Sequence, residues 1–192
     1  MIDPFDGIIN HNRSDDELEE FWLFCIAVAG KTAKTVARLL EDFLNGNPVI
    51  YGQNYTTYSP FDKVEFLHAN GLLLSELKRS RLGMYSKLEK AYFESLKLNL
   101  RNCGIDELES IYGVGQKTSR FFLMFSRPDQ KYAVLDVHVM RFLKDNGFDV
   151  PEKTPSGQTY LKLEEAFINL AKQEDINLVD FDYNIWSKSA VR

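Results

Sequence analysis

The chain has 192 residues, 44% hydrophobic and 27% charged, with a formal net charge of −5 at pH 7. That composition builds one ordinary domain or two small intimate ones, and it excludes a disordered chain. It also excludes a broadly cationic nucleic-acid binder, and no apolar run approaches the roughly 18 residues of a membrane span.

The acidic N-terminus, MIDPFDGIINHNRSDDELEE, lacks the apolar core of a signal peptide, which predicts a soluble intracellular protein. Ser14 opens SDDE, a capping-box pattern. Leu18, Phe21, Trp22, Cys25, Ile26 and Ala29 then follow the spacing of an amphipathic helix, which Gly30 should end or kink. Val36, Leu39, Leu40 and Phe43 mark a second helix that stops at Asn45-Gly46. Residues 46–58 lack a clear period and read as a loop. Ser59 and Pro60 form an N-cap and first position for the next helix. A longer helix follows Gly83, with Leu88, Ala91, Tyr92, Ser95 and Leu96 on one face.

Asp106 and Glu109 give another capping-box pattern before Ile111. Thr118 to Ser126 reads as a helix ended by Arg127-Pro128. Asp136 caps a helix that holds Val137, Met140, Arg141 and Lys144 and stops at Gly147. Tyr160 to Lys172 makes one more. Strand alternation is nowhere sustained, so the expected fold class is all-α. Cys25 and Cys103 are too few for a four-cysteine zinc or iron–sulfur site, and two reduced thiols are expected.

Charge is unevenly spread. Ser75 to Gly147 holds 13 Lys/Arg against 9 Asp/Glu, a net +4, and the remainder carries −9. Such asymmetry permits a nucleic-acid face on an acidic protein. Within the basic segment lies IYGVGQKTSRFFLM, residues 111–124. Two helices joined by a short hairpin leave N–H groups unpaired at the start of the second, and the dipole adds positive character there. Glycines at 113 and 115 let the backbone approach a phosphate closely. A packed corner between two helices explains Gly-x-Gly about as well. Lys117 weighs toward function. A cation in a helix's first turn is disfavoured by the dipole, which favours the neutral amine, a nucleophile. Asp136, nineteen residues on, also opens a helix, either as a plain cap or as a carboxylate converging with Lys117 on one cleft.

LESIYGVGQKTSRFFLMF followed by AVLDVHVMRFL, about Leu108 to Leu143, resembles the signature of the helix-hairpin-helix-GPD DNA glycosylase superfamily. LGMYSKLEKAYFESL, residues 82–96, is similar to the segment that precedes the hairpin in that family. The resemblance implies a helix-hairpin-helix glycosylase fold, two helical subdomains flanking a cleft. One spans about 60–145 and carries the hairpin at 106–127; the other joins 1–45 with 150–192.

The resemblance also implies roles. Lys117 falls on the Schiff-base lysine of members that excise a base and then nick the strand. Asp136 falls on the carboxylate that assists base loss. Gly113, Val114, Gly115, Gln116 and Thr118 fall on the phosphate-binding hairpin, with His138 beside Asp136 as a backbone or phosphate contact. The carbonyls of Glu109, Ile111 and Val114 fall on a K+ or Na+ site; no other cofactor and no side-chain metal site is implied. The lysine-to-aspartate spacing and the missing cysteine cluster look more like the 8-oxoguanine branch, in a compact archaeal, bacterial or viral form, than endonuclease III.

Two positions depart from the pattern. Where members place Gln or Asn side chains that enter the DNA stack, this chain has VAGKTAK; either Lys31 or Thr32 stands in, or this loop does not wedge at all. Phe121 stands where human-type enzymes have a cysteine against the base. Phe121, Phe122 and Phe125 read as core more readily than as a base platform. Trp186 and Asp182 line the base pocket, or Trp186 plugs a core seam. Arg120, Lys131, Arg141 and Lys144 are solvated or meet phosphates. The expected activity is a bifunctional glycosylase/AP lyase on duplex DNA with a damaged base or abasic site, acting as a monomer. The alternatives are a phage-type enzyme processing modified thymidine and a non-catalytic DNA-binding module.

Overall fold

The computed structural model describes residues 8–46, 59–128 and 130–190. Ten α-helices and no β-strand occur among these residues, in agreement with the all-α expectation. Contacts group the chain into two compact units, Met1–Val114 and Gly115–Arg192. The expected subdomain bounds, 60–145 and 1–45 with 150–192, partition the chain differently; the contact boundary falls inside the hairpin.

The first unit is built around α1 (Asp15–Ala27). Its capping box forms: the Glu17 N–H donates to Ser14 Oγ at 3.2 Å, and the Ser14 N–H donates to Glu17 Oε2 at 2.7 Å. Every side chain from Phe21 to Ala27 is at most 1% exposed. This helix is therefore central rather than a surface amphipath, because α2 (Ala33–Asn45), α3 (Pro60–Ala69) and α5 (Tyr85–Ser95) all pack on it. Buried polar atoms find partners across the core. The Trp22 indole donates to Ser95 Oγ at 2.8 Å, and the Tyr92 hydroxyl donates to the Leu23 carbonyl at 3.0 Å. Lys63, 4% exposed, donates to the Leu44 and Gly46 carbonyls at 2.6 and 2.5 Å and so closes the C-terminus of α2. Burial pushes its amine down to about 8.

Short α4 (Leu73–Arg79) has no reading in the sequence analysis; it buries only Leu73 and Leu77 and has no side-chain cap. At α6 (Ile105–Glu109) the expected box is corrected. Glu107, not Glu109, reaches back, accepting the Gly104 N–H at 2.8 Å. Gly104 at the cap has no side chain to complete the reciprocal bond. After Gly46, the expected loop over 46–58 lies outside the described residues.

The second unit holds α7 (Gln116–Ser126), α8 (Val137–Asp145), α9 (Gly157–Gln173) and α10 (Leu178–Ala190). Helices α7 and α9 begin two and three residues before the positions read from the sequence. The last helix, α10, has no clear signal in the sequence, because Asp, Asn and Ser interrupt its apolar period. Its Phe181 and Ile185 pack with Val139, Leu143, Tyr160 and Phe167 in one core. Phe142, Phe167 and Phe181 meet with ring centroids 5.1 to 6.2 Å apart.

Candidate active site

The first unit ends in the turn that carries Gly113 and Val114. Gly113 has φ +70°, a conformation that disfavours any residue with a Cβ. A Cβ built there would also collide with Lys87 Cε. The Val114 N–H donates to the Ile111 carbonyl at 3.0 Å and closes the turn. Tyr112, exposed, has its N–H held by Glu94 Oε2 at 2.7 Å and its ring under the Lys90 ammonium at 4.0 Å. Lys87 and Lys90 thus bring positive charge to the turn; the sequence reading did not single them out. Lys31 donates to the Leu82 carbonyl, and burial together with the charge of Lys87 lowers its amine.

The second unit begins with Gly115 as the N-cap of α7, in an extended conformation that any residue adopts. A Cβ added here would meet nothing within 4 Å. The amides of Thr118 and Ser119 donate back to the Gly115 carbonyl at 2.9 and 3.2 Å. Those of Gln116 and Lys117 find no acceptor among the described residues, as a helix start requires. Gln116 spends its side chain elsewhere: Oε1 accepts the Gly157 N–H at 2.6 Å, which ties α7 to the start of α9. What it offers an anion is its backbone. Lys117, half-buried, stands in the first turn of α7.

Asp136 is the N-cap of α8. Its Oδ1 accepts the His138 and Val139 amides at 2.8 and 2.9 Å, which leaves Oδ2 out of the cap. The ring Nδ1 of His138 is buried without a hydrogen-bond partner. Asp182, on α10, is 9% exposed and its Oδ2 has no hydrogen-bond partner either. Burial raises its carboxyl well above the usual carboxylate range; the negative charge of Asp136 adds to that, and the positive charge of Lys117 opposes it. Lys117, Asp136 and Asp182, from three helices of one unit, therefore share one electrostatic neighbourhood. That neighbourhood holds a carboxyl pushed up by burial, a second carboxyl with one oxygen outside its cap, and a lysine.

Trp186, one turn after Asp182, is half-buried with its ring 6.2 Å from Tyr183. Phe122 and Phe125 are core residues; Phe121 is half-buried and meets Phe125 edge-on at 5.2 Å. Arg120 neither meets solvent nor presents itself to a phosphate. It is 4% exposed, and its Nε donates to Glu164 Oε1 at 2.8 Å. Glu164 also accepts the Ala133 N–H at 2.9 Å, and Tyr160 bridges Ala133 and Leu135. Sequence reasoning missed this polar group beneath Asp136. Its visible signal is the i, i+4 spacing of Tyr160 and Glu164, which places a hydroxyl and a carboxylate on one helix face. Among the described residues, no cluster of His, Cys, Asp and Glu has a metal-binding arrangement.

The family model described as 8-oxoguanine DNA glycosylase (Ogg-HhH) matches residues 1–176. The chain is 32% identical over 83 residues to an 8-oxoguanine DNA glycosylase/AP lyase of Picrophilus torridus. That match covers 41% of this chain and 37% of that protein's length. Among solved structures it resembles an 8-oxoguanine glycosylase/lyase of Methanocaldococcus jannaschii in complex with a 15mer DNA containing 8-oxoguanine. The TM-score is 0.68 at 21% identity, covering 98% of this chain and 86% of that one. It also resembles the 8-oxoguanine DNA glycosylase of Thermotoga maritima, with a TM-score of 0.66 at 19% identity over 95% and 85% of the two chains. At those identities the solved structures establish the helix-hairpin-helix glycosylase fold, and the family model, spanning most of the sequence, establishes descent: the chain belongs to the 8-oxoguanine DNA glycosylase family.

Proposed function

We propose that the protein is a bifunctional DNA glycosylase/AP lyase that excises an oxidised purine, 8-oxoguanine, from duplex DNA and then nicks the strand. The observation that carries this reading is Lys117 in the first turn of α7 and Asp136 capping α8 with one oxygen left over, both felt by the buried, unpartnered Asp182 of the same unit. The family's description favours an oxidised purine over modified thymidine, and a lysine beside a carboxylate argues against a module that only binds DNA.

The base must leave the stack, because its glycosidic carbon is out of reach inside a duplex. The Lys117 amine attacks C1′ and the C1′–N bond breaks, its electron pair and an amine proton going to the base; the C1′–O4′ bond then breaks, O4′ takes a proton as the sugar ring opens, and a Schiff base remains. Asp136 opposes the positive charge that develops on the sugar, through the oxygen its cap leaves over. β-Elimination then cuts the strand on the 3′ side of the lesion. Asp182 and Trp186 supply a polar and a stacking wall for the extruded base, with Phe121 adjoining. The unpaired amides at the start of α7 hold a phosphate; Gly113, Val114 and Lys31 in the first unit, and Gly115, Gln116, Thr118 and His138 in the second, are the DNA contacts of each. The carbonyls of Glu109, Ile111 and Val114 suit a K+ or Na+ ion. The Ile111 carbonyl accepts one hydrogen bond and retains a second lone pair.

Borohydride reduction in the presence of an 8-oxoguanine duplex tests the reading. A covalent protein–DNA adduct that disappears in Lys117→Gln supports it. Trapping on abasic DNA alone would refute the choice of base, and no trapping on either would refute the lyase chemistry.

A further inference from the structure

Residues 130–136 connect α7 to α8 and deliver Asp136 to its helix start, yet no helix or sheet ladder holds them. Ala133, Val134 and Leu135 are nonetheless buried, at 0, 5 and 0% exposure. Their backbone groups need partners there, because an unpaired buried amide or carbonyl is costly. The Val134 carbonyl accepts the Asp136 N–H at 2.9 Å, and side chains of α9 supply partners for three further groups. The Tyr160 hydroxyl donates to the Ala133 carbonyl at 2.9 Å and accepts the Leu135 N–H at 3.2 Å. Glu164, one turn further along the same helix, accepts the Ala133 N–H at 2.9 Å. The same Glu164 oxygen accepts from Arg120 Nε at 2.8 Å, and the Arg120 guanidinium lies 4.8 Å from the centre of the Tyr160 ring.

Arg120 is three residues past Lys117 on α7, and Leu135 immediately precedes Asp136. The side chains of Tyr160, Glu164 and Arg120 are 0, 6 and 4% exposed in total residue terms, so water does not compete for these bonds. One closed network therefore joins the helix that carries the lysine to the segment that carries the carboxylate.

The geometry points to Tyr160 and Glu164 as positioning residues of the active site: they set the place of the Asp136 carboxylate relative to Lys117 by holding residues 133–135 to α9 and, through Arg120, to α7. The inference rests on the proposed roles of Lys117 and Asp136. Neither residue touches substrate in this account. Both act through Asp136, which makes their effect separable from general packing. Tyr160→Phe keeps the ring and removes both hydroxyl bonds. Glu164→Gln keeps an acceptor for Ala133 and weakens the tie to Arg120.

The test is a double-mutant cycle with a structural arm. Single-turnover excision of 8-oxoguanine is measured for wild type, Tyr160→Phe, Glu164→Gln, Asp136→Asn and the Tyr160→Phe/Asp136→Asn pair, with duplex binding measured alongside. Tyr160→Phe should slow excision by about 10- to 100-fold while leaving duplex affinity within about twofold, the scale seen when a supporting shell is lost. On the Asp136→Asn background the same change should add less than about twofold, since coupled residues are non-additive. Full multiplication of the two effects, or excision at the wild-type rate in Tyr160→Phe, overturns the inference. If Tyr160→Phe does not fold, Glu164→Gln carries the same comparison. The structural arm is amide hydrogen exchange at Leu135, His138 and Val139. These should lose protection in Tyr160→Phe while the amides of α9 keep theirs. Unchanged exchange at the three overturns the inference whether or not the protein excises this base; an inactive wild type with altered exchange instead removes only the proposed substrate.

Discussion

Gly115→Ala separates a phosphate anchor from a packed corner. The fold is indifferent to the change. The Gly115 backbone is extended, and an added Cβ meets nothing within 4 Å. Alanine is a poorer N-cap than glycine by a few tenths to about 1 kcal/mol, but it restricts the unfolded chain by about 0.4 to 1 kcal/mol. The two nearly cancel, so the melting temperature should hold within roughly 2 to 4 °C for a chain of this length. Binding is another matter. The methyl group would stand beside the unpaired Gln116 and Lys117 amides, where a phosphate would sit. A hydrogen bond to a charged group contributes about 1.5 to 3 kcal/mol, so losing one weakens binding about 10- to 100-fold. Gly113→Ala is the control with the opposite signature. Its φ of +70° and the collision with Lys87 strain the fold by about 1 to 2 kcal/mol, which lowers the melting temperature by several degrees. The assay is a thermal melt of each variant beside titration with an abasic-analogue duplex. A Gly115→Ala protein that melts as wild type and binds as wild type would refute the anchor and reduce the hairpin to a corner.

Lys117→Gln should abolish borohydride trapping while duplex binding stays within about threefold, since backbone amides rather than this half-buried side chain hold the DNA; trapping that persists would move the nucleophile to another amine, Lys31 first. Asp136→Asn retains an Oδ1 acceptor for the His138 and Val139 amides, so the protein should stay folded while excision slows by two or more orders of magnitude, roughly the scale of acid–base and charge-stabilising groups. A large fall in melting temperature with unchanged excision would make Asp136 a cap and nothing more. The logarithmic dependence of duplex affinity on salt should have a shallow slope, on the order of 3 to 5, because backbone amides rather than many cations hold the DNA; a markedly steeper slope in a filter-binding series would contradict that. Lys63 gives a pH signature. Its folded-state value, about 8, lies below the ordinary lysine value of 10.5, so folding expels a proton between the two. Its charge therefore opposes folding below about pH 8, and that cost is relieved as pH rises toward 10.5, by up to about 3 kcal/mol. Chemical denaturation of wild type against Lys63→Met should show the difference moving in favour of wild type across that interval, and a flat difference would mean the amine titrates normally.

Much of this architecture was legible because its signals are local. Ser14, Ser59 and Asp136 cap helices where their short polar side chains predict, and each bond spans only two or three residues. Gly147 stops α8 with φ +85°, a conformation that other residues resist. What stayed hidden depends on partners distant in sequence. Nothing near Arg120 announces Glu164, forty-four residues away, so an arginine on a basic segment read as a phosphate or solvent contact. The all-round burial of α1 from Phe21 to Ala27 was invisible for the same reason, since a stripe of apolar residues looks alike whether one face or every face is covered. Helix α10 escaped because Asp182 breaks its apolar period, and that break is itself the buried carboxyl beside Asp136 and Lys117. Local rules fail where a polar group is kept in the core for chemistry.

The tryptophans are divided between the units. The sequence has two; Trp22 is fully buried in the first unit, its indole bound to Ser95, and Trp186 is half-buried in the second beside Tyr183. A sealed indole emits toward the blue and is shielded from collisional quenchers, whereas a partly open one is not. Intrinsic fluorescence is thus resolved by unit without any label: acrylamide reads the second, and the red shift of the protected component on denaturation reads the first. Whether the halves of the molecule melt together or in sequence can be followed by light alone, with Trp186→Phe and Trp22→Phe assigning each component.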